Sequence, residues 1–286
     1  MNNRVRKKVT IKDLFKMKAQ KRRIVALGVY DYPTAMIADK LDVEILFTGP
    51  SGPMSLFGHR FVRSIRPSEM LVVTRAVSRV EPRALLVASL PYMTYEMSNE
   101  RAIETAALFV TEGGADCVKC DANRHLAERI QAIVRSGIPV MAHIGLQASR
   151  QVEQSGYRVQ GRTAEHAMSI VQDAQALVKA GVFAILVEAA TQELTSYLTN
   201  NMPVPIIGLS SGDDIDGGCI VSGDAVGYSV SPKPPKAARF VDVKPKIQKA
   251  LLEYEKDARS GEGPSFKNFT RLPEDEWLDI HRELQL

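Results

Sequence analysis

Three ionisable residues sit inside or against apolar runs: Lys119 in Cys117-Val-Lys-Cys120, His143 in Pro139-Val-Met-Ala-His-Ile144, and Glu188 directly after Ala184-Ile-Leu-Val187. An ionisable group in such a setting is costly unless it is paired or used, so these three are the first candidates for proton transfer or charge stabilisation. Polar residues follow the other apolar runs as well, at Tyr30-Asp31, Ser51, Ser89, Asp121 and Ser210-Ser211. Cys117 and Cys120 spell C-x-x-C, a spacing used by redox and zinc sites. Residues three apart on a strand face opposite ways and no second C-x-x-C exists, so both cysteines read as structural. Gly212-Asp-Asp-Ile-Asp-Gly217 hints at a calcium loop, yet aligning Gly217 with the loop glycine puts Gly212 and Gly223 where ligands belong. Ser210-Ser211-Gly212 reads either as a turn or as an anion cradle.

Such residues need a scaffold that gathers strand ends. Eight short β-branched or apolar runs recur, at 23–29, 43–47, 84–88, 117–120, 139–144, 184–187, 205–209 and 225–230. Helical patterns lie between them. Pro67 opens one, with Met70, Leu71, Thr74, Val77 and Val80 on its stripe and Pro82 beyond its end. Gly113-Gly114, Gly137 and Gly181 stop three others. The alternation predicts a parallel sheet closed into a (β/α)8 barrel, with reactive residues just past the C-terminal ends of its strands. An open doubly wound sheet is the runner-up, but no G-x-G-x-x-G follows any strand.

Composition agrees with one large α/β domain. The chain has 286 residues, 45% hydrophobic and 24% charged, enough for a core that needs no disulfides, and its three cysteines could not build a framework of them. No apolar run reaches the roughly 18 residues of a membrane span. The start lacks the apolar core of a secretory signal, which leaves a cytoplasmic protein with a basic surface helix, or an Arg-rich transit peptide. The net charge of +4 is local: residues 1–23 hold ten Lys or Arg and one acid, while 24–286 hold 27 basic and 32 acidic residues. A surplus confined to one leading segment argues for no nucleic-acid partner.

Gly28-Val-Tyr-Asp-Tyr32, Leu56-Phe-Gly-His59, Leu90-Pro-Tyr-Met-Thr-Tyr95, Val118-Lys119, His143-Ile-Gly-Leu146, Tyr157-Arg-Val-Gln-Gly-Arg162, Leu186-Val-Glu188, Pro205-Ile-Ile-Gly208, Asp216-Gly217 and Asp224-Ala225 follow in one order. Over about 10–240 this series resembles the ketopantoate hydroxymethyltransferase (3-methyl-2-oxobutanoate hydroxymethyltransferase) family. The resemblance implies a (β/α)8 TIM barrel of the isocitrate lyase/phosphoenolpyruvate mutase type and a homo-oligomer, typically a decamer. It implies an enzyme that deprotonates a small 2-oxo acid and adds the enolate to the one-carbon unit of 5,10-methylenetetrahydrofolate. Carried onto this chain, the general base is Glu188, a carboxylate whose partial desolvation at a strand end strengthens it. Lys119 and Ser51 become substrate contacts. His143 matches a family histidine that either touches substrate or is a hydrogen-bonded core residue.

The chain departs from that family at its magnesium site. Pro50, in Gly49-Pro50-Ser51, replaces one aspartate; Ser89 replaces a second; the third acidic position falls on Asp121, a methylene shorter than the usual glutamate. Arg60 stands where an aspartate usually follows Gly-His. Magnesium wants several oxygens and negative charge, and one carboxylate plus one hydroxyl is a poor site. The expectation is therefore an enzyme in which Lys119 and Arg60 stabilise charge, Ser89 contacts substrate, and Asp121 is the one metal-ligand candidate left. A folate-independent aldolase or lyase of the same superfamily and a catalytically silent binding relative are the competing readings. The barrel domain is expected to span 1–260 and a helical tail 261–286, with the Pro-rich Ser231–Lys236 as a rigid connection after the last strand.

Overall fold

Strand alternation positions Lys119, His143 and Glu188, the ionisable residues that the sequence puts in or against apolar runs. The structure is a computed structural model and describes residues 7–230, 238–267 and 269–285. Eight parallel strands close into a barrel in sequence order: β1 (Ile24–Gly28), β2 (Ile45–Thr48), β3 (Leu85–Ser89), β4 (Cys117–Asp121), β5 (Val140–Gly145), β6 (Ala184–Glu188), β7 (Ile206–Leu209) and β8 (Gly217–Val221). Pairing of β1 with β8, from Ile24↔Gly217 to Gly28↔Val221, shuts the sheet. Leu85, Val87, Cys117, Met141 and Leu186 belong to one buried cluster inside the barrel. Leu86, Ala88, Val118, Cys120, Ala142 and Val187 belong to another, shared with the surrounding helices. Cys117 and Cys120 thus point to opposite faces, as a period of two requires.

Before β1 comes α1 (Ile11–Ala19), opened by a capping box between Thr10 and Asp13. Its Leu14 and Met17 join the interior cluster with Val9, so this segment, expected to lie on the surface, closes the N-terminal end of the barrel. Lys18 Nζ reaches Asp216 Oδ2 at 2.6 Å, just ahead of β8. The helices that return the chain between strands are α2 (Tyr32–Asp39), α3 (Ser51–Phe57), α4 (Pro67–Ser78), α5 (Asn99–Thr111), α6 (Ala127–Arg135), α7 (Ala164–Lys179) and α8 (Gln192–Asn201).

The eighth strand is a correction. Sequence patterning put it at 225–230, but β8 is Gly217–Val221 and is followed by a single-turn helix, α9 (Ser222–Ala225). Adjacent glycines normally count against a strand. Here a Cβ on Gly217 would stand 2.4 Å from the Ile24 carbonyl oxygen, so the close approach of β8 to β1 needs glycine.

The chain falls into two compact units, 1–240 and 241–286. The second holds α10 (Lys244–Ser260), α11 (Pro264–Lys267) and α12 (Glu274–Leu284). The 244–260 helix, expected to complete the barrel domain, groups with the tail. It buries no residue among those described and carries (i, i+4) pairs, Lys249 with Glu253 and Glu255 with Arg259. Ser231–Lys236 lies outside the described residues. No helix among the described residues is long and apolar enough to cross a membrane.

Candidate active site

On β3 to β6 the inward row, apolar at its base, ends on a polar residue. It runs from Val87 to Ser89 on β3, from Cys117 through Lys119 to Asp121 on β4, from Met141 to His143 on β5, and from Leu186 to Glu188 on β6. Register levels them: Ser89 lies opposite Lys119, Asp121 opposite His143, and Glu188 opposite Gly145. A Cβ on Gly145 would sit 2.4 Å from the Glu188 carbonyl oxygen, so a glycine there lets β5 approach the end of β6. Directly after Glu188 the chain reverses through Ala189 at φ 47°, a conformation that L residues rarely hold without surrounding support. The support is visible in its N–H, which donates to Leu209 O, and its carbonyl, which accepts from the Gln160 N–H, both at 2.8 Å.

These strand ends surround a cavity of about 140 Å³, lined by Ser89, Lys119, Asp121, His143 and Glu188 together with Gly49, Pro50, Ser51, Tyr157, Cys219 and Asp224. His143 is its hub. Nδ1 lies 2.9 Å from Asp121 Oδ1 and 3.1 Å from Lys119 Nζ. Nε2 stands 3.2 Å from Glu188 Oε2, an ion-pair distance rather than an aligned hydrogen bond. One nitrogen cannot donate to Asp121 and accept from Lys119 at once. Burial and the Lys119 charge push the His143 pKa down, but the Asp121 and Glu188 carboxylates outweigh them and raise it above the ordinary histidine value. That direction favours Nδ1–H donating to Asp121. On Asp121, burial works against the charge, yet His143, Lys119 and the Ser149 hydroxyl hold its carboxyl well below the usual carboxylate range. Ser149 Oγ donates to Asp121 Oδ2 at 2.7 Å, and Lys119 Nζ stands 4.0 Å from Oδ1. Gln147 Nε2 donates to the carbonyls of Ala122 (2.9 Å) and His143 (2.7 Å), tying β5 to the end of β4.

Of the residues singled out from sequence, Glu188, Lys119, His143, Ser51, Ser89 and Asp121 therefore meet at one cavity, and Arg60 does not. Arg60 is exposed, its guanidinium carbon 5.7 Å from the Phe61 ring centroid, and it lies outside the cavity lining. Gly58 ends α3 in the left-handed conformation, and His59 Nε2 is tied to Glu69 Oε1 of α4 at 2.8 Å, which anchors this loop on the helix side. Asp31 caps α2 by accepting the Thr34 N–H. Ser211 is also structural, its hydroxyl bonded to the Val187 carbonyl and to the Ala190 N–H. Tyr157, Cys219 and Asp224 line the cavity without having been assigned a role from sequence. Cys219 lies within β8 and Asp224 in α9 after it, the stretch whose strand sequence patterning put elsewhere, and Tyr157 lies in a long loop where periodicity carries no signal. Burial pushes the Cys219 thiol up to about 12 and raises Cys117 and Cys120 as well.

The magnesium implied by the family resemblance finds poor donors. Pro50 offers no side-chain oxygen, Ser89 is neutral, and both Asp121 oxygens are engaged. Among the described residues no group of three or more His, Cys, Asp or Glu side chains is arranged to hold a metal ion. The residues present do not fit a divalent cation. A second, larger depression of about 500 Å³ lies beside the site, formed by the loop after β5 and the starts of the following helices, with exposed Arg158 and Arg162 in its wall.

The sequence profile of the ketopantoate hydroxymethyltransferase family matches residues 8–265. A 3-methyl-2-oxobutanoate hydroxymethyltransferase of Dehalococcoides mccartyi is 38% identical over 260 residues, covering 91% of this chain and 93% of that protein. Another, of Nitrosopumilus maritimus, is 36% identical over 275 residues, covering 96% and 98%. Among solved structures, phosphonopyruvate hydrolase in complex with oxalate and Mg2+ aligns with a TM-score of 0.60 at 12% identity, over 97% of each chain. For 2,3-dimethylmalate lyase, a PEP mutase/isocitrate lyase superfamily member, the TM-score is 0.56 at 17% identity, over 96% of this chain and 93% of that one. Likeness at those identities speaks for the fold alone.

Proposed function

The chain belongs to the ketopantoate hydroxymethyltransferase family, and on that footing we propose that it enolises a small 2-oxo acid, 3-methyl-2-oxobutanoate or a close analogue, and joins the resulting carbon nucleophile to a one-carbon unit. The observation that carries this reading is Glu188 at the end of β6, facing a small cavity with Lys119 on its other wall and His143 between them. A cavity of about 140 Å³ suits a small acid. Glu188 takes the proton from C3 of the substrate, a role worth about 10²–10⁴ in rate for a positioned general base. Lys119 supplies positive charge to the carboxylate–oxo edge, where the negative charge of the enolate develops. His143 acts on Glu188 rather than on substrate, and Asp121 orients His143 in turn.

The co-substrate we propose is 5,10-methylenetetrahydrofolate. Its one-carbon unit, at the oxidation level of formaldehyde, accepts the C3 nucleophile, and water supplies the oxygen of the new hydroxymethyl group. The neighbouring 500 Å³ depression supports this reading, since Arg158 and Arg162 offer positive charge to the anionic tail of a folate. Exposed Val25, Met36, Ile37 and Leu41, on or beside β1 and α2, support a homo-oligomer in which such side chains are covered.

The test is hydrogen–deuterium exchange at C3 of 3-methyl-2-oxobutanoate, followed by NMR in deuterated buffer. Exchange by the wild type and a loss of at least about 10²-fold in Glu188→Gln are expected. Absence of exchange with any 2-oxo acid would favour the catalytically silent relative. Adding the folate then separates hydroxymethyl transfer from lyase chemistry, because only the former yields a product one carbon longer.

A further inference from the structure

The donors in this cavity differ from those a divalent cation needs, and the difference has a chemical direction. Where β2 ends stands Pro50, and where β3 ends stands Ser89, so neither position offers a carboxylate. Asp121 keeps its charge but not its freedom, with Oδ1 engaged by His143 and Oδ2 by Ser149. Ser89 is the opposite case. Its Oγ is buried, lines the cavity and has no hydrogen-bond partner, although the residue is only 4% exposed. A buried hydroxyl left unpaired is unfavourable, so the missing partner is a group that enters the cavity. Ser89 lies directly across the β3–β4 ladder from Lys119, and both residues continue the inward row of their strands. A hydroxyl donor and an ammonium thus stand side by side at one level of the rim. That pair suits the oxygens of an anion and repels a cation.

We propose that this chain holds and enolises its 2-oxo acid without a divalent metal, the Lys119 ammonium and the Ser89 hydroxyl together receiving the oxygen edge of the substrate. The inference rests on reading the site as one that enolises a 2-oxo acid. The step balances without a further reactant. The C3–H bond breaks and its proton goes to the Glu188 carboxylate. The electron pair left on carbon forms the C2=C3 bond, and the C2=O π pair moves onto oxygen as the enolate, where Lys119 balances it and Ser89 donates a hydrogen bond. Nothing is oxidised or reduced. Asp121 is then a positioning residue that fixes His143 and offsets Lys119, in place of a metal ligand.

Two measurements on the full-length protein test this, neither relying on turnover. The first is Mn2+ titration followed by electron paramagnetic resonance, with and without 3-methyl-2-oxobutanoate. No stoichiometric site is expected below millimolar Mn2+, and a stoichiometric site that disappears in Asp121→Asn overturns the proposal. The second is calorimetric binding of 3-methyl-2-oxobutanoate to protein stripped with EDTA, repeated after adding Mg2+. The dissociation constant is expected to agree within about twofold between the two conditions and to weaken about tenfold in Ser89→Ala. Binding that appears only with Mg2+ overturns the metal-free site while leaving the enolising reading intact. Metal-independent binding with no C3 exchange supports the site as drawn and removes the enzymatic reading instead. Absence of binding in both conditions overturns both.

Discussion

Replacing Asp121 by asparagine removes one charge while keeping the outline of the side chain, and the geometry sizes the loss. Asp121 Oδ1 takes the His143 Nδ1–H at 2.9 Å, Oδ2 takes the Ser149 hydroxyl at 2.7 Å, and Lys119 Nζ stands 4.0 Å away. An asparagine can satisfy only one of the two donors with its carbonyl, and it leaves Lys119 without its nearest counter-charge. A hydrogen bond to a charged group is worth about 1.5–3 kcal/mol, and breaking a buried ion pair costs about 3–5 kcal/mol. The Asp121 side chain is 21% exposed, which lowers the estimate to about 3 kcal/mol. For a unit of this size each kcal/mol moves Tm by roughly 2–4 °C, so a fall of about 6–12 °C is expected. Thermal unfolding at matched protomer concentration measures it. The pH dependence carries a sign. The depressed Asp121 pKa means its contribution is present above the ordinary carboxylate value of about 3.9 and is lost only as pH falls through the lower folded value. The raised His143 pKa means its contribution is full below about 6.5 and is lost as pH rises through the higher folded value. The gap between wild type and variant should therefore be widest from about pH 4 to 6.5 and narrow above that, as His143 gives up its proton. A gap below about 1 kcal/mol at pH 6, or one that stays constant from pH 5 to 9, refutes the coupling of these two side chains.

Three further outcomes follow from single positions. Lys119→Gln should lower the rate constant for C3 exchange more than it raises KM, because charge on the substrate oxygen grows during the step; a raised KM with an unchanged rate constant would place Lys119 on the ground-state carboxylate. Cys219, with its thiol pushed up to about 12, holds only about one thiolate in 10⁴ at pH 8, so Ellman's reagent should leave the native protein unreacted for hours and count three thiols after denaturation. Gly217→Ala puts a Cβ 2.4 Å from the Ile24 carbonyl oxygen and should cost about 2 kcal/mol or more in urea unfolding, and a neutral result would contradict the tight β1–β8 closure.

Much of this fold is written in the period of two. Seven strands were legible because β-branched and apolar residues crowd each of them and helix-stopping glycines separate them. The same alternation, extended one step past Val87, Cys117, Met141 and Leu186, points Ser89, Lys119, His143 and Glu188 inward without any knowledge of contacts. The eighth strand was not legible, since Gly217 is there for the close approach of β8 to β1 rather than for strand preference, and only the neighbouring strand reveals that need. Arg60 shows a second limit. Its sequence position after Gly58-His59 says that it follows a helix end, but whether it turns to the cavity depends on the His59–Glu69 contact, which pairs a loop with a different helix. The leading helix is a third, because an excess of lysine hid the two side chains, Leu14 and Met17, that decide where it sits.

On the proposed function, the charges at the rim also bear on how enolisation would proceed. Lys119 and His143 on one side, and Asp121 and Glu188 on the other, form a set that can be neutral before substrate enters. When Glu188 takes a proton from carbon, it loses its negative charge and the substrate oxygen gains one, so the sum over the cavity is unchanged. What changes is location. The negative charge leaves the neighbourhood of His143, 3.2 Å from Glu188 Oε2, and arrives beside Lys119. Two charges about 4 Å apart interact by roughly 4 kcal/mol at the effective dielectric typical of such sites, so the Lys119 attraction offsets most of what His143 gives up. On that reading Lys119 already stands where the charge arrives and favours the step, while His143 beside Glu188 favours the ionised base and acts in the opposite sense. The proposed reading makes Asp121, which holds His143, and Ser149, which holds Asp121, positioning side chains that do not touch the substrate.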